Sequence, residues 1–179
     1  MIESARTRRW LFRLAFALVA LVLVVVRLMP LGSSAGDWPG PDVLLCVTLA
    51  WMLRRPDYMV PWLIALVLLA EDLLLMRPPG LWTALVIVAT EFLRSRAAFT
   101  RELSFPGEWV LVSAMMVMLE FAYRFAFAIA FLPQPTLGFS MLQVLASILC
   151  YPAVVWLSVM AFKLHKPATG EVDAYGRRM

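Results

Sequence analysis

Residues 10–29 read WLFRLAFALVALVLVVVRLM, a run whose charges stand only at Arg13 and Arg27, near its two ends. About 20 apolar residues cross the hydrocarbon core of a bilayer as a helix, so this stretch predicts a membrane span. Outward from it, the same reading gives five more segments: Asp42 to Leu53, Pro61 to Met76, Leu81 to Leu93, Trp109 to Leu132 and Ser140 to Phe162. The first, fifth and sixth are long enough to span unaided. The second and fourth are short, and must thin the bilayer, extend into polar flanks or form a re-entrant or partly buried element. Breakers separate the segments at Pro30 with Gly32 through Pro41, Arg54-Arg55-Pro56, Arg77-Pro78-Pro79-Gly80, Ser104-Phe105-Pro106-Gly107 and Pro133-Gln134-Pro135 with Gly138.

Composition agrees. The 179 residues are 63% hydrophobic and 16% charged, with a mean hydropathy of +0.82. A soluble domain carries roughly 25% charged residues, and no aqueous core hides such an apolar surplus. The expectation is an all-α polytopic membrane bundle of about six spans: a cytoplasmic N-terminus over 1–9, the bundle over 10–162 and a cytoplasmic tail over 163–179. No loop is long enough for a soluble domain. The net charge of +4 sits at span ends, which argues topology and not nucleic acid. With the N-terminus inside, one side collects Arg6, Arg8, Arg9, Arg13, Arg54, Arg55, Arg94, Arg96, Arg101, Lys163, Lys166, Arg177 and Arg178, thirteen of the sixteen Lys and Arg. Arg27, Arg77 and Arg124 are the remainder. A rival reading makes the N-terminus a signal peptide cleaved near Ser33-Ser34-Ala35, which Arg27 and the length of the apolar run disfavour.

Charged side chains in a span cost about 2.5–3.5 kcal/mol each on insertion scales, so those that remain are where function is sought. Glu120 and Arg124 share a face of the fifth span, acid before base. About 200° around the same helix, Ala122, Ala126 and Ala130 form a small-xxx-small stripe, so the span is expected to be buried on two sides. The pair reads as a structural ion pair, a substrate or proton site, or a contact with another membrane protein. Glu71-Asp72 precedes the Pro-Gly corner ending at Gly80, and Asp72 can anchor that corner by accepting backbone N–H bonds or by pairing with Arg77. Asp42 after Pro41 reads as the N-cap of the second span. Glu91 can pair with Arg94 at i+3.

Catalysis is poorly provided for. The one histidine, His165, lies in a basic tail, and there is no phosphate loop, nucleophile elbow or metal-ligand spacing. No catalytic, cofactor or metal residue is expected. Cys46 and Cys150 lie within apolar runs and read as buried hydrophobes, not a disulfide. Trp10, Trp38, Trp62, Trp82 and Trp109 fall near span ends, as an interfacial belt does.

The order of residues resembles one family. Pro41-Asp42-Val43-Leu44-Leu45, Arg54-Arg55-Pro56-Asp57-Tyr58, Asp72-Leu73-Leu74 with Pro79-Gly80-Leu81, and Thr90-Glu91-Phe92-Leu93-Arg94-Ser95-Arg96 resemble the bacterial rod shape-determining protein MreD family over most of residues 37–100. The chain departs from it at Val67-Leu68-Leu69-Ala70-Glu71, where relatives often carry a glycine. The resemblance implies a non-enzymatic scaffold of the cell-elongation machinery in the inner membrane. It would bind the bitopic periplasmic protein MreC, connect with the actin-like cytoskeleton and support the wall synthases. It also implies a fold like the six-helix substrate-binding subunits of energy-coupling-factor transporters. The alternative is a small transport subunit binding a small molecule within the bundle. Its short second and fourth spans would gate a cavity lined by Glu120 and Arg124. A scaffold would instead fill those faces with side chains.

Overall fold

The computed structural model describes residues 2–29, 39–134 and 136–162, with side chains from Thr7 onward in the first stretch. All regular structure among the described residues is helical: α1 (Ile2–Leu28), α2 (Val43–Arg54), α3 (Pro61–Leu74), α4 (Leu81–Ser95), α5 (Ala97–Glu102), α6 (Phe105–Ile129) and α7 (Leu137–Phe162). Each of the six expected segments holds a helix; the short α5 is additional. Three stretches are long and apolar enough to cross a membrane, Thr7–Leu28, Phe105–Ile129 and Leu137–Phe162, which marks the chain as a helical membrane protein.

The short α2 is the centre of the molecule. Every residue from Leu44 to Arg54 is buried, and the helix packs against α7, α1, α4 and α5. A helix apolar on all sides suits a position enclosed by other helices. Its 12 residues rise only about 18 Å, yet its neighbours and not lipid surround it. Trp51 lies at its heart, 5.7 Å from the Phe16 ring and 4.9 Å from the Phe162 ring, with its indole donating to Ser158 Oγ at 3.1 Å. Cys46 and Cys150 are both free thiols, and Cys46 is fully buried. The outermost helix is α1. It buries Phe16, Ala20 and Val24, a four-residue spacing that makes one stripe, and exposes Leu14, Leu18, Leu21, Val22 and Val25. Lipid is the natural solvent for that face.

The Ser104–Gly107 breaker proves to be a helix start. Ser104 is extended and Pro106 stands in the first turn of α6, where its missing N–H is not needed and its fixed φ fits the helix. Proline plays a different part in α7. Pro152 lies inside that helix and cannot donate to the carbonyl four residues back, that of Ile148. Trp109 of α6 supplies the donor: its Nε1 lies 2.9 Å from Ile148 O. In lipid a carbonyl without a donor is costly, and a neighbouring helix restores the bond.

Two expectations for apolar residues are corrected. Trp10 and Trp62 face outward as a belt requires, but Trp82 is buried and Trp109 half-buried through its bond to α7; Trp38 lies outside the described residues. The second buried face of α6 is absent as well. The helix buries Glu108, Val112, Met115, Met116 and Leu119, one stripe confined to its first part. Ala122 and Ala126 are partly exposed, and Ala130 is exposed beyond the helix end.

Candidate functional site

The polar residues collect at the two ends of the bundle. At one end, α2 terminates at Arg54, and α4 and α6 bring Arg94 and Glu108 beside it. Arg54 Nη1 lies 2.7 Å from Glu108 Oε1 and also donates to Ala50 O at 3.2 Å. The hydroxyl of Tyr151, on α7, donates to the same Glu108 oxygen at 2.7 Å. All three residues are buried, so Coulomb attraction acts in a poorly screening medium while the desolvation cost is offset by the added hydrogen bonds. Sequence reasoning counted Arg54 only as a topology charge and missed Glu108 and Tyr151. The legible signal was a carboxylate at the head of a span with no basic residue one turn away. Nearby, Glu91 pairs with Arg94 at 3.2 Å, the expected i+3 contact. Arg94 also donates to Met59 O, which ties α4 to the α2–α3 link.

The opposite end carries the α3–α4 corner and the α6–α7 link. Asp42 caps α2, accepting Leu45 N–H on Oδ1 at 3.0 Å. Capping is only part of its role: Arg27 Nη1 lies 3.4 Å from Asp42 Oδ2 and 2.6 Å from Glu71 Oε1, joining α1, α2 and α3. Ser147 Oγ on α7 adds a fourth element by accepting Asp42 N–H at 2.8 Å. Asp72 anchors the corner through backbone and hydroxyl, not through Arg77. Its Oδ2 accepts Gly80 N–H and Thr83 N–H at 3.2 Å each and Thr83 Oγ1–H at 2.8 Å. Gly80 sits at φ +86°, the left-handed region in which a side chain is strained. Arg77 lies over the Trp82 ring, 5.9 Å from its centroid.

Glu120 and Arg124 stand 3.9 Å apart, the loosest ion pair among the described residues. The structure does not seal them in the middle of the bundle. They lie in the second half of α6 and line a cavity of about 320 Å³ at the corner end, between α2, the α3–α4 corner, α6 and α7. Its walls are partly apolar, with Leu45, Met116, Phe127 and Val144, and partly polar, with Asp42, Arg77, Gln134 and Gln143. Arg124 donates to Ser140 Oγ at 3.1 Å, and Gln134 Nε2 donates to Arg124 O at 3.0 Å. Cavities of about 300 Å³ and upward with a few convergent polar groups are the usual form of small-ligand sites.

The structure therefore brings Asp42, Arg77, Glu120 and Arg124 around one cavity and sets Asp72 and Gly80 in the corner beside it. It leaves Glu91 at the other end, with Ala122 and Ala126 half-buried and Ala130 exposed. Among the described residues no group of three or more His, Cys, Asp and Glu could hold a metal ion. His165 and the basic tail lie outside the described residues. Compared with known proteins, the chain matches no family model, no curated protein and no solved structure.

Proposed function

We propose that this chain is a non-enzymatic, six-span inner-membrane scaffold of the cell-elongation complex. Both its termini are cytoplasmic, and it binds a bitopic periplasmic protein of the MreC kind and connects it with wall synthases and the actin-like cytoskeleton. One observation supports the reading. Within the stretch that resembles the MreD family, the polar side chains fix helix ends to one another: Asp42 caps α2 and holds Arg27, Asp72 locks the α3–α4 corner, and Arg94 secures the α2–α3 link. Such locks give a rigid platform on which other transmembrane helices can dock.

The corner end is the natural docking surface, because Met76 projects there almost fully exposed at φ +54°. A left-handed non-glycine residue costs about 1–2 kcal/mol, a strain that Met76 carries while presenting its side chain outward. Met76→Gly should leave abundance and thermal stability equal to or above wild type while weakening partner capture; capture at wild-type level would count against docking there. The reading as a whole is tested by purifying the tagged protein from its host in mild detergent and identifying stoichiometric partners by mass spectrometry. Recovery of a bitopic periplasmic protein with wall synthases is expected.

The cavity favours a second reading, a small transport subunit that binds its substrate between α2, α6 and α7. Recovery of a coupling ATPase in the same purification would decide for it.

A further inference from the structure

We infer that the corner-end cavity is a binding site for a zwitterionic headgroup, a phosphodiester bearing an ammonium group, on a membrane amphiphile. The inference needs neither reading above, since a scaffold or a transport subunit can hold a resident lipid.

The lining charges balance. Asp42 and Glu120 face Arg77 and Arg124 around one space, so a ligand carrying a single sign of charge would leave a partner uncompensated there. A ligand with one group of each sign meets both. Guanidinium groups match the oxygen spacing of a phosphate, and Arg77 and Arg124 enter from different elements, the corner and α6. Glu120 supplies the acid for an ammonium. Its carboxylate has no hydrogen bond among the described residues, only the 3.9 Å approach to Arg124. Aromatic rings add to the cation site: Tyr123 packs edge-on to Trp82 at 5.4 Å and 4.7 Å from Phe127, and all three line the space.

Unsatisfied side chains point the same way. Besides Glu120, the Tyr123 hydroxyl and the Gln143 amide line the cavity with no hydrogen-bond partner among the described residues. These half-buried groups leave donors and acceptors open to a ligand in the cavity. Depth identifies the source. The 25 residues of α6 rise about 38 Å, against about 30 Å for the hydrocarbon core, and Arg124 stands five residues before the last residue of the helix. The cavity thus lies at the level where headgroups meet acyl chains, and its apolar wall of Leu45, Met116 and Val144 continues inward from there.

The test uses the full chain, delipidated in detergent, and titration calorimetry with dihexanoyl phosphatidylethanolamine, dihexanoyl phosphatidylglycerol and soluble glycerophosphoethanolamine. Wild type should bind the ethanolamine lipid about ten-fold more tightly than the glycerol lipid, which lacks the ammonium. Glu120→Gln should abolish that preference, and Arg77→Gln should weaken both lipids by about ten-fold. Arg96→Gln, at the other end of the bundle, should change neither, and thermal unfolding of each variant checks that it is folded. Equal binding of the two lipids by wild type would overturn the inference, and so would wild-type affinities in folded Glu120→Gln and Arg77→Gln. Binding of glycerophosphoethanolamine as tight as that of the lipid, with the same variant dependence, would support the zwitterion chemistry and move its source from the bilayer to solution. Partner capture does not enter this measurement, so its failure and that of the scaffold reading are told apart.

Discussion

Glu108 is 1% exposed and faces Arg54 and Tyr151, so removing its carboxylate leaves a guanidinium in a space where water cannot replace the lost partner. Breaking one side of a buried pair costs about 3–5 kcal/mol, whereas replacing both sides by apolar groups of similar size is often nearly neutral. Glu108→Ala should therefore lower the thermal unfolding midpoint sharply, and Arg54→Met with Glu108→Leu should restore most of it. A midpoint for Glu108→Ala equal to wild type would show that the cluster holds nothing together. The corner has a milder signature. Asp72→Asn keeps an acceptor for Gly80 and Thr83, while Asp72→Ala removes it and should cost about 1–2 kcal/mol by the usual measure of a lost helix cap. Equal stability of the two variants would refute the corner bond. Asp42 and Asp72 were legible in the sequence because cap and corner chemistry acts over a few residues. Arg54, Glu108 and Tyr151 were not, since they are 54 and 43 residues apart and nothing local marks a pairing that only the folded bundle creates.

Helix α7 shows what an element must borrow from its neighbour. Pro152 deprives the Ile148 carbonyl of its own donor and the Trp109 indole replaces it, so the two residues form one device across α6 and α7. Trp109→Phe keeps the ring volume approximately and deletes the donor, at an expected cost of about 1–3 kcal/mol. In a Pro152→Ala background, α7 can make its own bond to Ile148 and the cost of Trp109→Phe should fall. The double-mutant cycle measures the difference; additive effects would show that the indole bond and the proline are unrelated. The six segments were readable at this scale from hydrophobic length alone. Their ends were less so: Pro106 looks like a breaker in a sequence but is at home in a first helical turn, which moves the start of α6 back to Phe105. α5 escaped because a six-residue helix has too little periodicity to announce itself.

For the whole molecule, the decisive property is which end of the bundle faces the cytoplasm. Three of the described helices are long and apolar enough to cross, but α2, α3 and α4 rise only about 18–23 Å, and whether each completes a crossing sets the side on which every later link emerges. Basic residues argue for six crossings. Arg54, Arg55, Arg94, Arg96 and Arg101 all belong to the end that holds the Glu108 cluster, and Lys and Arg near span ends remain cytoplasmic. In the proposed orientation the cavity and the Met76 corner face the periplasm. Asp57 and Pro79 are exposed in the two links in question, and Cys46 and Cys150 can be replaced by alanine to give a cysteine-free background. In spheroplasts, a membrane-impermeant maleimide should label Pro79→Cys directly and Asp57→Cys only after lysis. Labelling of both from outside would mean that α2 and α3 do not cross as a pair, and labelling of Asp57→Cys alone would put the corner and its cavity on the cytoplasmic side, opposite the proposed periplasmic partner.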